Sequence, residues 1–250
     1  MYTAKKSLGQ HFLKDESIIR RITEVLNEHP FHNLLEVGPG TGALTRHLIN
    51  IPGIEFKAVE LDDEKVLYLQ KHYPVLQGKI IHNSFLDIDK PFETPFTVIG
   101  NFPYNISTQI LFKLLEWKDD VPEIIGMFQK EVAERAASGP GSKVYGVLSA
   151  LVQAYYQVEY LFDVPPGSFN PPPKVMSGVI RLTRKQEILP VKSDRAYWVL
   201  VKTAFNQRRK TLRNAVKALF TPDVLQEEIF NLRAEALSID DFASLTYKMK

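Results

Sequence analysis

The chain has 250 residues, 44% hydrophobic and 24% charged, with no cysteine and a formal net charge of +2. That composition suits one sizeable core with a smaller appendage and excludes both an intrinsically disordered chain and a disulfide scaffold. Met1-Tyr2-Thr3-Ala4-Lys5-Lys6 lacks the apolar core of a secretion signal, and the longest apolar run, 147–152, is far too short for a bilayer span; a cytoplasmic protein with no membrane partner is expected.

In chain order, the first β-rich run is 33–37, and it leads into Glu36-Val37-Gly38-Pro39-Gly40-Thr41-Gly42 and a stretch of helical spacing at 44–49. Glycines between a strand and a helix permit a tight turn and let a ligand approach the backbone closely. A second strand at 55–60 ends on Glu60, where nucleotide-binding α/β folds place an acid on ribose hydroxyls. A glycine turn without a ligand and a dinucleotide dehydrogenase are both compatible with this loop alone. The spacing G-x-G-x-G after Glu36 departs from G-x-G-x-x-G and looks more like a methyltransferase loop.

A helix at 63–72 and strands at 79–82 and 96–100 follow, the last running into Asn101-Phe102-Pro103-Tyr104. In a doubly wound sheet this fourth strand neighbours the first across the switch point, so both motifs open into one crevice. The exocyclic amine of adenine is a poor nucleophile, because its lone pair is delocalised into the ring. The Asn101 side-chain oxygen and the Phe102 carbonyl could hold its hydrogens, Pro103 would stiffen the loop, and Tyr104 could stack on an extruded base. An ordinary Asn-x-Pro turn with a packing tyrosine is the plain alternative.

Next come a helix at 108–117 and strands at 123–127, 158–164 and 178–183. Strands alternating with helices imply an α/β, Rossmann-like parallel sheet, with the last two strands as an antiparallel extension. Between those two lies Val164-Pro165-Pro166-Gly167-Ser168-Phe169-Asn170-Pro171-Pro172-Pro173-Lys174, where prolines fix the backbone around Phe169. Phe169 is either a core residue of a rigid linker or the second wall of a base slot.

Beyond Arg184 strand signals stop and helical ones begin, which predicts domains at 1–184 and 185–250. Arg195, Lys202, Arg208, Arg209, Lys210, Arg213 and Lys217 are spaced along 195–217 without an intervening acid. Leu212, Val216 and Leu219 predict an apolar face on one helix whose other face carries Arg209, Arg213 and Lys217. Such a face suits RNA phosphates, or simply solvent. The 6 histidines show no metal-ligand spacing, so no metal is expected.

Taken together, Lys5-Lys6-Ser7-Leu8-Gly9-Gln10-His11-Phe12-Leu13, the glycine loop, Asn101-Phe102-Pro103-Tyr104-Asn105-Ile106-Ser107, the Phe169 loop and Phe205-Asn206-Gln207-Arg208-Arg209-Lys210-Thr211-Leu212-Arg213-Asn214 resemble the small-subunit rRNA adenine dimethyltransferases. The resemblance spans nearly the whole chain. It implies an S-adenosylmethionine-dependent enzyme with a small helical C-terminal domain. The substrate would be two adjacent adenosines in the loop of the 3′-terminal helix of 16S rRNA in the small ribosomal subunit, and a monomer is expected.

By position, His11, Leu13, Glu36, Gly38, Gly40, Glu60, Ser84 and Asn101 would hold the cofactor. Asn101, Phe102, Pro103, Tyr104 and Phe169 would hold the target adenine, and Lys5, Lys6, Arg208, Arg209, Lys210, Arg213 and Lys217 would meet RNA. Ser84 stands where the family commonly has Asp, and Met176 where Asp often follows Pro-Lys-Val. Two other readings stay open. One is the large-subunit rRNA adenine methyltransferase of macrolide resistance, and the other is a ribosome-assembly factor with weak catalysis.

Overall fold

The structure is a computed structural model that describes residues 11–250. The chain divides into two compact units, the first holding the described residues up to Ala133 together with Glu159–Arg184, the second holding Glu134–Val158 and Lys185–Lys250. The boundary read near 185 therefore marks one edge of the second unit, which also takes in a segment from the middle of the sequence.

In chain order the elements are β1 (Phe12–Leu13), α1 (Glu16–Val25), β2 (Asn33–Val37), α2 (Thr45–Leu48), β3 (Glu55–Glu60), α3 (Asp63–His72), β4 (Ile80–His82), β5 (Thr97–Asn101), α4 (Ser107–Glu116) and β6 (Glu123–Gln129). They continue with α5 (Lys130–Ala137), α6 (Val147–Gln153), β7 (Tyr156–Val164), β8 (Phe169–Asn170), β9 (Ser177–Arg184), α7 (Asp194–Asn206), α8 (Leu212–Ala215) and α9 (Ile239–Thr246). Among the described residues one sheet has seven strands in the order β4-β3-β2-β5-β6-β9-β7. The first five are parallel, and β9 joins β6 antiparallel.

The order reverses at β2 and β5, and that switch point is where such sheets bind ligands beyond the carboxyl ends of their strands. β2 is buried along its whole length and β6 along nearly all of it, as expected for parallel strands covered on both faces. α1 starts at Asp15, whose carboxylate accepts the N–H groups of Ser17 and Ile18, and it buries Ile18, Ile19, Ile22 and Val25. A separate two-stranded pairing sets Phe12 opposite Asn170 and Leu13 opposite Phe169. Lys14 N–H also donates to the Ser168 carbonyl at 2.9 Å, and Ser168 Oγ to Asp15 at 2.9 Å. The segment leading into α1 is thus tied to the proline-rich loop.

In the second unit the single basic helix read across 209–219 does not form. α7 ends at Asn206, Thr211 is extended, and the Leu212 N–H donates to the Leu232 carbonyl at 2.7 Å instead of continuing a helical ladder. Leu212 and Val216 are both fully buried, so their periodicity reflects burial of two successive turns. No helix among the described residues is long and apolar enough to cross a membrane.

Candidate active site

A cleft enclosing about 210 Å³ lies at the switch point, lined by residues of the first unit, among them His11, Leu13, Glu36, Gly38, Gly40, Glu60, Ser84 and Asn101. Every cofactor position read from the sequence therefore meets one space. The loop after β2 is shaped from both sides. Gly38 N–H donates to the Val59 carbonyl at 2.9 Å, and Gly42 has φ +87° with the Tyr73 ring 2.7 Å from where its Cβ would be. Glycine suits position 42 by its positive φ, and a side chain there would have to displace the Tyr73 ring.

Two acids sit beneath this loop. Glu36 is 1% exposed and accepts the Thr45 hydroxyl at 2.7 Å. Burial, reinforced by the nearby Glu60 carboxylate, pushes its pKa up to about 8, so it keeps its proton through much of the neutral range. Glu60 is likewise raised by burial, although the Gly40 N–H at 3.0 Å and the Asp62 N–H at 2.9 Å each donate to its carboxylate and oppose that rise. These bonds fix the Glu60 side chain at the cleft wall.

At the other side, Asn101 ends β5, and its Nδ2 donates to the His11 carbonyl at 2.9 Å. A carbonyl can only accept, so the amide orientation is set and Oδ1 is the atom left to accept from a ligand amine. By the same logic His11 Nδ1 donates to the Pro171 carbonyl at 2.9 Å. Pro103 lines the cleft. Phe102 turns inward, 1% exposed, with its ring 4.9 Å from that of Phe128. Its space exists because β6 carries Gly126, where a Cβ would lie 2.4 Å from the Phe102 ring. Phe102 can thus offer only its backbone to a substrate.

Tyr104 is part-exposed, with its ring centroid 5.3 Å from that of His11 and its hydroxyl bonded to Ser177. Burial raises the ionisation of the phenol. Phe169 is placed differently from the base-slot reading: it is 1% exposed and belongs to the apolar cluster with Leu13, Ile18 and Val164. Pairing with Leu13 through β1 and β8 draws it into the core, so in this structure it is not a wall of the cleft.

Ser84 Oγ accepts the Leu86 N–H at 3.2 Å and caps a short turn at the cleft wall. Phe12, Asn83, Leu86, Ile106 and Ile110 also line the cleft. Their apolar side chains and loop amides carry no signature of their own in the sequence. Thr45, the partner of Glu36, was foreshadowed only as one residue of the helical stretch at 44–49.

Among the basic positions, Arg208 is engaged by Glu235 at 2.9 Å and by the Lys143 carbonyl, and Arg213 Nε donates to the Leu225 carbonyl at 2.8 Å. Arg209, Lys210 and Lys217 are exposed. Lys5 and Lys6 lie outside the described residues. No group of three or more His, Cys, Asp or Glu that could hold a metal occurs among the described residues.

Residues 1–249 match the family described as Ribosomal RNA adenine dimethylase. The chain is 50% identical over 251 residues to the Ribosomal RNA small subunit methyltransferase A of Flavobacterium johnsoniae, covering 99% of this chain and 96% of that one. It is 47% identical to the protein of the same name from Cytophaga hutchinsonii, covering 97% and 96%. Among solved structures it resembles a dimethyladenosine transferase from Plasmodium falciparum, with TM-score 0.79, 25% identity and coverage of 94% and 96%. The 23S rRNA methyltransferase ErmE shares the fold, with TM-score 0.68, 24% identity and coverage of 93% and 99%.

Proposed function

Since the chain belongs to the ribosomal RNA adenine dimethylase family, we propose that it dimethylates the N6 amines of two adjacent adenosines in the 3′-terminal helix loop of 16S rRNA, using S-adenosylmethionine. The observation that carries this reading is the meeting of the glycine loop and Asn101 in one cleft, with the Asn101 amide turned so that Oδ1 accepts. The cleft suits that cofactor. Its glycine turn admits close backbone approach, Glu60 offers carboxylate oxygens to ribose hydroxyls, and Ser84 offers a hydroxyl at the far wall.

The cofactor supplies an electrophilic methyl group, so the protein's task is to place and polarise the amine. Asn101 Oδ1 and the Phe102 carbonyl accept the amine hydrogens, which favours a lone pair directed away from the ring plane. Tyr104 supplies an aromatic surface for the extruded base. Positioning of this kind can contribute several orders of magnitude without a strong base. Arg209, Lys210 and Lys217 provide exposed charge for RNA phosphates, in keeping with a small-subunit substrate in the cytoplasm.

The test is to incubate the protein with labelled S-adenosylmethionine and unmethylated small or large ribosomal subunits, then map the modified base. Label on two adjacent small-subunit adenosines is the expected result. Label confined to the large subunit, or binding without transfer, would sink the proposal.

A further inference from the structure

Ser177, which like Tyr104 lies beside the cleft and not in its lining, has its hydroxyl bonded to that of Tyr104. The residue is fully buried at the first position of β9, opposite Gln129 at the end of β6. Its backbone is held on both sides. The Met176 carbonyl accepts the Lys130 N–H at 2.9 Å, while at Gly178 a Cβ would lie 2.5 Å from the Tyr160 hydroxyl and 3.0 Å from Ala133. The Ser177 hydroxyl is therefore a fixed point on a rigid element, and the bond lets it fix the far end of the Tyr104 side chain.

The near end of Tyr104 is held as well. Its carbonyl accepts the Ser107 hydroxyl at 3.0 Å at the start of α4. The His11 ring stands against it at 5.3 Å and 36°. A tyrosine side chain has two soft torsions. The hydroxyl bond anchors the far end of the ring and so restricts both.

We propose that Ser177 is a positioning residue for methyl transfer: through its hydroxyl it locks the Tyr104 ring in the orientation that receives the target adenine. The proposal rests on the reading of Tyr104 as the stacking surface. It also explains why a serine is buried at the junction of the proline-rich loop and β9, where an apolar side chain would otherwise pack.

The experiment compares Ser177→Ala, Tyr104→Phe and the double variant on unmethylated small subunits. Calorimetry for S-adenosylmethionine and a thermal melt accompany each variant. Removing either half of one hydrogen bond should lower kcat by about 2- to 10-fold and leave cofactor Kd within about twofold. The double variant should be no slower than the worse single one, because both substitutions break the same bond.

Losses that multiply in the double variant overturn the proposal, as does a wild-type kcat in Ser177→Ala. Equal losses of cofactor affinity and kcat in Ser177→Ala overturn it too, since they would report general damage to the cleft. Tyr104→Ala separates the two levels. If it keeps wild-type kcat, the stacking reading itself fails; if it is inactive while Ser177→Ala is not, only the positioning role fails.

Discussion

A carboxyl group buried beneath a ligand loop must be paired with a cation or stay protonated, and Glu36, with Thr45 and Glu60 as neighbours, does the latter. Its folded pKa of about 8 lies above the ordinary value of 4.5. The folded chain therefore keeps a proton that the unfolded chain loses, and stability from this group, complete below the unfolded value, falls as pH rises toward the folded one. Glu36→Gln removes that dependence. The melting temperature of the wild type minus that of Glu36→Gln should decline from about pH 5 to about pH 8. A difference that stays constant would mean that Glu36 is ionised in the fold.

Ser84 gives a second test at this scale. Its hydroxyl already caps the turn through Leu86, and an aspartate could do the same while offering a charged acceptor to an adenine amine. Hydrogen bonds to charged groups contribute about 1 kcal/mol more than neutral ones, so Ser84→Asp should tighten cofactor binding several-fold. Asp87 is exposed and outside the cleft, so Asp87→Ala should change binding little. Weaker binding by Ser84→Asp in calorimetry would show a site built around the hydroxyl. Glu36, Glu60 and Asn101 were legible because motifs fix their place at strand ends. Phe169 was not, since its two readings differ only in which face of a loop meets the core, and its burial comes with a pairing to Leu13 from the other end of the chain.

Elements read well where local pattern and burial agree. The stretches 33–37, 55–60 and 63–72 coincide with β2, β3 and α3, whose apolar residues are mostly buried and whose ends carry caps or glycines. α1 went unread although Asp15 followed by Ile18, Ile19, Ile22 and Val25 carries a capped, amphipathic helix signal. β1 and β8 had none, because two-residue strands exist only through a pairing between residues distant in sequence. The basic segment misled because Leu212 and Val216 keep helical spacing over the short α8 and its C-cap, while Arg209 lies before the interruption at Thr211, where the Leu212 N–H turns to the Leu232 carbonyl. Its corrected geometry separates the arginines. Replacing Arg209 and Lys210 with Gln should reduce the salt slope of RNA binding by about 0.7–0.9 for each phosphate no longer neutralised. Arg213→Gln should lower the melting temperature instead, because Arg213 is tied to the Leu225 carbonyl. An unchanged slope in the first variant would make Arg209 and Lys210 ordinary solvated charges.

At the scale of the whole molecule, a division read from where strand signals stop cannot detect a segment that leaves one unit and returns. Glu134–Val158 does this, and its side chains depend on residues after Lys185 for their partners. The Tyr197 hydroxyl donates to the Ala150 carbonyl at 3.0 Å, the Tyr155 hydroxyl to Asp194 at 2.7 Å, and the Tyr145 ring lies 5.7 Å from that of Phe205. A chain ended after Arg184 would strip this cover from Tyr145, Leu148, Leu151 and Tyr155, all of them buried in the complete chain. Exposed apolar surface of that kind drives association. The truncated chain is thus expected to aggregate or bind a hydrophobic dye. A second truncation that also replaces 134–158 with a short Gly/Ser linker should be well behaved and bind S-adenosylmethionine. Its geometry is permissive, because Ala133 and Tyr160 both approach the same point beside Gly178. The comparison is read by light scattering and calorimetry on the two truncated chains. If the simple cut at 184 gave the better-behaved protein, Glu134–Val158 would have to pack independently of the C-terminal residues, and the two-segment unit would not be a folding unit.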